Sequence, residues 1–249
     1  MLNLLRGDFY KLRRSKSFFT CLGILAIIVS YIIIHFKSSS NIKEQLSPST
    51  FHWIYMLFRE KAFIPYFIPL FQSIFITMFI TNEYNTGTIK DSVSLGFSRM
   101  KVYISKLITV SVGSILMIIV AIISVEITSF FVFGIYGSFS MYDLLLIVRM
   151  ILIQGLLYIA YGSILLMIAF LIKNIGATMI FSIFFSLIIG TLEVGSSYWG
   201  RILINMNFSP NAIPQLQEMD MIIGIVVALS YLILCSAIGG FIFSREDIK

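Results

Sequence analysis

The sequence predicts an all-α polytopic membrane protein, and three observations carry that prediction. Hydrophobic residues make up 58% of the 249 positions and charged residues only 12%, against roughly a quarter charged in a soluble domain. Mean hydropathy is +0.95. The apolar residues run in continuous stretches of spanning length and do not alternate as barrel strands do. The same composition excludes a soluble enzyme, a disordered chain and a secreted disulfide scaffold. With histidine only at His35 and His52, no multi-histidine metal site is available, and Cys21 and Cys235 fall inside apolar runs as buried thiols. The basic excess of +6 reads as topology signals and lipid-headgroup contacts and not as a nucleic-acid surface, because no nucleic-acid motif accompanies it.

In chain order, residues 1–17 form an amphipathic helix lying in the inner interface: Leu2, Leu5, Phe9 and Leu12 recur at helical spacing, with Arg6, Lys11, Arg13 and Arg14 between them. No small-residue cleavage site follows the first apolar run, so the segment is expected to be retained. Spans are placed at 18–36, 63–81, 107–133, 144–172, 176–192 and 221–243. The first outer loop, 37–62, holds Ser47-Pro48-Ser49-Thr50 before Phe51, Ile54, Tyr55 and Phe58, a helix start followed by an apolar face. The third and fourth spans are joined so tightly that they form an antiparallel hairpin. Between the fifth and sixth, residues 193–220 contain an apolar stretch too short to span and then Pro210 and Pro214. This reads as a re-entrant or interfacial hairpin on the outer side, with Trp53 and Trp199 at headgroup level; a plain surface loop is the alternative. Of the 18 lysines and arginines, twelve fall on the side of the N-terminus, which places both termini in the cytoplasm. The whole of 1–249 reads as one transmembrane domain.

Few residues are available for chemistry. Ser163 follows Gly162 within a span, but both histidines lie at or beyond the outer end of the first span, so a serine protease has no base. The aspartates sit in loops or at span ends. No GxxxxGK[ST] phosphate loop occurs, so any ATP must be bound by another subunit. The most polar stretch is 82–106, NEYNTGTIKDSVSLGFSRMKVYISK. It is far longer than a turn needs, and Thr86-Gly87-Thr88 supplies a turn and helix-cap signal. A short surface helix facing a cytoplasmic partner accounts for it.

At these residues the chain resembles the permease subunits of type 2 ATP-binding-cassette (ABC) exporters, whose pattern is a Glu, three residues, Gly-Thr, then Ser-Arg and a Lys opening the next span. Here that pattern is Glu83, Gly87-Thr88, Ser98-Arg99 and Lys106. The layout is also similar: an interface helix, six spans, a long connection after the second and a broken hairpin before the sixth. The resemblance implies that 82–106 is an ATPase-coupling region, that Glu83 and Arg99 brace it, and that Gly87 and Thr88 set its turn. It further implies two ABC ATPase subunits holding ATP and Mg²⁺, with no cofactor on this chain and no enzyme activity of its own. A second permease copy or paralogue and membrane lipids complete the assembly in a bacterial plasma membrane. The implied activity is export of an amphipathic or hydrophobic substrate. Chain size is similar to the small Gram-positive exporters of antimicrobial or cytolytic peptides, including the bacteriocin-immunity and phenol-soluble-modulin groups.

Two further features follow from the residues. Glu126 and Arg149 stand equally far from the turn between their spans, so an antiparallel hairpin brings them to one depth, where the cost of a lone charge favours an ion pair. Thr178, Ser182, Ser186 and Gly190 form a small-residue stripe on the fifth span, and Gly155, Gly162 and Ala169 form one on the fourth; such stripes permit close helix contact. The fifth-span stripe serves either a subunit interface, as the resemblance suggests, or packing within the subunit. Gln72, Thr77 and Gln154 are candidates to line a cavity. A non-transporting membrane scaffold or sensor and an ion-coupled carrier are the rival functional readings.

Overall fold

The computed structural model describes residues 1–39, 64–133, 141–191, 203–208 and 218–245, and every regular element among them is helical. In order these are α1 (Leu2–Arg14), α2 (Lys16–Ser39), α3 (Ile64–Asn85), α4 (Thr88–Ser94), α5 (Arg99–Phe133), α6 (Met141–Ile172), α7 (Ile175–Thr191) and α8 (Glu218–Arg245), with a 3-10 helix at Ile204–Asn207 before α8. Four stretches are long and apolar enough to cross a membrane: Lys16–His35, Arg99–Val132, Ile147–Ile172 and Met221–Arg245. The second and fifth expected spans coincide with α3 and α7 but are not among the four. For α7 the reason is length: 17 residues rise only about 25 Å, against a hydrocarbon core of about 30 Å. α3, 22 residues long, carries Gln72, Ser73, Thr77, Thr81 and Glu83 among its buried residues.

Ser15 separates α1 from α2. Its extended backbone ends the first helix, and its Oγ accepts a bond from Phe18 N–H at 3.3 Å, capping the second. The chain therefore turns from the surface helix straight into the first long one. α6 is the central element, packed against α3, α5 and α8, with Leu157, Tyr158, Tyr161 and Leu165 at most 1% exposed. α2 and α8 lie at the periphery with largely exposed apolar faces, as expected where lipid and not water is the solvent.

Polar side chains tie the helices together at mid-height. Gln72 Nε2 on α3 donates to Ser114 Oγ on α5 at 2.6 Å and to the Tyr158 carbonyl on α6 at 2.7 Å. This is possible because α6 carries glycine at 162, where a Cβ would stand 2.7 Å from that same Nε2. Ser73, Tyr161 and Ser186 share hydroxyl bonds of 2.6–2.7 Å joining α3, α6 and α7. Gln154 donates to the Phe208 carbonyl at 2.6 Å, and the Phe208 ring stacks on Tyr158 with centroids 4.4 Å apart. Ile204 and Phe208 are thus buried in the bundle. The rest of the expected outer hairpin, including Trp199, and the first outer loop with Trp53 lie outside the described residues.

Candidate functional site

The strongest concentration of charge in the described structure lies at one end of the bundle, where α1, α3 and α5 meet. Asp8 projects from the inner side of α1, Glu83 from the last turn of α3, and Ser105 and Lys106 from the second turn of α5. Lys106 Nζ lies 2.7 Å from Glu83 Oε1 and 2.6 Å from Oε2, and it also donates to Asp8 Oδ1. Ser105 Oγ donates to Asp8 Oδ2 at 2.6 Å. Lys11, one turn on from Asp8, donates to Glu83 Oε1 at 3.1 Å. Asp8, Lys106 and Glu83 are only 3%, 3% and 6% exposed, and the Phe79 ring flanks the ammonium at 5.5 Å. Two carboxylates and two ammonium groups balance in charge. Burial of such groups is tolerated only when each is paired and hydrogen-bonded, a condition that this arrangement meets.

Next to the cluster the backbone makes its turn. Gly87 follows α3 with φ +74°, in the left-handed region, and is the N-cap of α4. Gly96 closes the same segment with φ +88°. Thr88 Oγ1 reaches back to the Glu83 carbonyl at 3.4 Å, so the residue holding Lys106 also anchors the start of α4. Ile89 fixes α4 to the bundle at 1% exposure, leaving Lys90, Asp91 and Leu95 facing outward. The helix is a short element between two glycines with left-handed backbone, its root next to a buried ion cluster.

An aromatic hub lies beside it. Phe170 on α6 contacts Tyr84, Tyr103 and Phe243 with centroids 5.7, 5.0 and 4.8 Å apart, linking the ends of α3, α5, α6 and α8.

The sequence model of the ABC-2 family transporter proteins matches residues 4–193, which include every residue of the cluster and the turn. The chain belongs to the ABC-2 transporter family. A search among curated proteins found none that matches it. As an ABC-2 protein the chain is a multi-pass membrane permease subunit of an ABC transporter, a class that works with ABC ATPase partners and generally carries no ATPase site of its own.

Within this ABC-2 permease, the structure places four of the five residues expected in the coupling region in one locality: Glu83, Gly87, Thr88 and Lys106. Arg99 has a contact on α8. Its Nη1 donates to the Ser244 carbonyl at 3.1 Å, tying the start of α5 to the end of α8. The expected Glu126–Arg149 ion pair is absent: no bond joins the two, and Glu126 Oε1 is buried without a hydrogen-bond partner. Equal distance from a turn fixes depth but leaves the rotation of each helix about its own axis open, and rotation decides whether two side chains meet.

The α7 stripe turns inward. Thr178, Ser182 and Ser186 are at most 6% exposed and face α3, with Ser186 bonded to Ser73. Gly190 has no described side-chain surroundings. The described part of the stripe is packed within the subunit, and the face α7 turns outward is Ile180, Phe181, Phe184 and Leu187. On α6, Gly162 is required for close approach, whereas a Cβ at Gly155 would meet nothing within 4 Å. Gln72, Thr77 and Gln154 are all buried, and the two glutamines donate to neighbouring segments.

Asp8 and Ser105 were not legible as site residues from motif or layout. A signal was present for Asp8. It is the single acid in a basic helix, and its spacing from Leu5 and Leu12 puts it on the buried side among apolar positions, where an acid without a partner would be costly.

Proposed function

We propose that this permease subunit serves an ATP-driven exporter in which the Asp8–Lys106–Glu83 cluster transmits movement from α4 to the membrane bundle. In this reading α4 is the docking element for the ATPase, and Leu95, 77% exposed, is the apolar contact it offers. Force applied at α4 passes through Gly87 to Glu83 and α3. From Glu83 it passes through Lys106 to α5, and through Asp8 to α1. The observation that carries the proposal is the burial of a complete ion cluster where these three helices meet at the root of α4. A buried, multiply bonded ammonium is a directional link: its partners cannot slide without uncovering a charge.

The remaining parts of the reading are these. The chain makes six passes with both termini in the cytoplasm, α3 and α7 being the second and fifth. It pairs with a second permease copy or paralogue and with two ATPase subunits that hold ATP and Mg²⁺, in a bacterial plasma membrane. Its substrate is amphipathic or hydrophobic, and a toxic peptide is the class we carry forward. In support, the spans are almost wholly apolar, in a chain that is 58% hydrophobic and only 12% charged.

Affinity purification of the tagged chain from mild detergent tests this. An ABC ATPase should co-purify, and its hydrolysis rate in the complex should exceed that of the isolated subunit. Recovery of the chain without an ATPase would favour the scaffold reading instead.

A further inference from the structure

The outer surface of α1 carries positive charge that no described residue neutralises. The inner side of this helix holds Asp8 and Leu12, with Leu4, Leu5 and Lys11 partly covered. Beside that side lie Leu2 and Phe9, 72% and 37% exposed. Beyond them, Arg6, Arg13 and Arg14 are exposed together with Tyr10, whose ring lies 5.0 Å from the Arg14 guanidinium. Asp8, the one acid of the helix, is taken up by Ser105 and Lys106. None of the three arginines forms an ion pair among the described residues.

We propose that this outer face of α1 binds the headgroups of anionic phospholipids and, granting the coupling role proposed above, that the lipid so bound sets the pose of α1 and the strength of the ion cluster beneath it. Charge alone would suit any anion. The commitment to lipid comes from Leu2 and Phe9, which flank the arginines as an exposed apolar strip, and from α2, whose exposed apolar surface begins at Phe19 immediately after the Ser15 corner. The cationic sector is thus continuous with a surface that faces acyl chains, the arrangement of an interfacial helix. Asp8 and Lys11 lie on the opposite side of the same rigid helix, so a headgroup that holds α1 against the bilayer also presents these two residues to Lys106 and Glu83. An arginine near an anionic surface contributes about fivefold in association, so three together contribute on the order of a hundredfold.

The test uses the full chain in vesicles, with Trp53→Phe, Trp199→Phe and Phe9→Trp making position 9 the reporter. Brominated phosphatidylglycerol and brominated phosphatidylcholine are compared as quenchers at equal fraction in phosphatidylcholine. Preferential quenching by phosphatidylglycerol, reduced on the order of a hundredfold in apparent affinity by Arg6→Gln/Arg13→Gln/Arg14→Gln, is the expected result. Equal quenching by the two lipids overturns the proposal. So does loss of quenching when the ATPase subunit is added, which would assign the face to a protein. In the same vesicles the permease-dependent ATPase rate should rise with phosphatidylglycerol and lose that dependence in the triple variant. Lipid preference with an ATPase rate indifferent to phosphatidylglycerol overturns the regulatory step. If no permease-dependent hydrolysis exists at all, the coupling reading fails, and the quenching still decides whether α1 binds the lipid.

Discussion

Lys106 is buried with a carboxylate on each side. Replacing it with methionine leaves Asp8 and Glu83 without their common cation, and loss of one partner from a buried ion group costs about 3–5 kcal/mol. Unfolding of the purified chain by denaturing detergent should show Lys106→Met far less stable than the parent. Asp8→Asn, which keeps a hydrogen-bond acceptor for Ser105, should be milder. In the double variant the costs should fail to add by about 1–3 kcal/mol, as expected for groups in one network. Additive costs would mean that the cluster is not a unit. The two glycines on α6 make a second contrast at this scale. Gly162→Ala puts a methyl group 2.7 Å from Gln72 Nε2 and must displace an amide held by two bonds, at a cost of about 1–3 kcal/mol. Gly155→Ala, with open space around it, should be close to neutral in the same assay.

Among the elements, α4 is the one whose geometry is most exposed to a single change. Gly87 has φ +74°, which a β-branched residue adopts only at a cost of about 1–3 kcal/mol. Gly87→Val should therefore insert normally but misdirect α4, lowering the permease-dependent ATPase rate while the amount of membrane-inserted protein stays constant. Gly87→Asn, which tolerates the left-handed region, should retain most of that rate. Wild-type hydrolysis in Gly87→Val would remove α4 from the transmission route. A different expectation holds for α7: cysteine at Ser182, which is fully buried, should give no cross-link between copies.

The elements also show what the sequence made legible. Hydropathy located α2, α5, α6 and α8 because their apolar runs exceed the bilayer thickness, and helical spacing located α1. Polarity in an otherwise apolar chain marked the stretch 82–106, and within it Glu83, Gly87, Thr88 and Lys106 were picked out by the resemblance to the exporter permease pattern. Asp8 was hidden because its partners are 97 and 98 residues away, and no local pattern reports a contact that only the packing of α1 on α5 creates. Glu126 and Arg149 show the converse, since matched depth in sequence did not become contact once the helices chose their rotations. The α7 stripe was ambiguous for the same reason: small residues mark a close contact without saying with what.

At the scale of the described molecule, the buried ion pairs gather at one end of the bundle, while neutral polar side chains tie α3, α5, α6 and α7 together at mid-height. That division suits a permease driven, as proposed above, from the end that holds the cluster. Glu83 joins the cluster to the root of α4, accepting from Lys106 and Lys11 while its carbonyl receives Thr88. The most direct measurement is the ATP hydrolysis rate of the reconstituted permease–ATPase complex carrying Glu83→Gln, at equal complex content, compared with the parent complex and the isolated ATPase. The account predicts that the complex assembles but its rate falls to that of the isolated ATPase; a fully assembled Glu83→Gln complex hydrolysing ATP at the parent rate would contradict it.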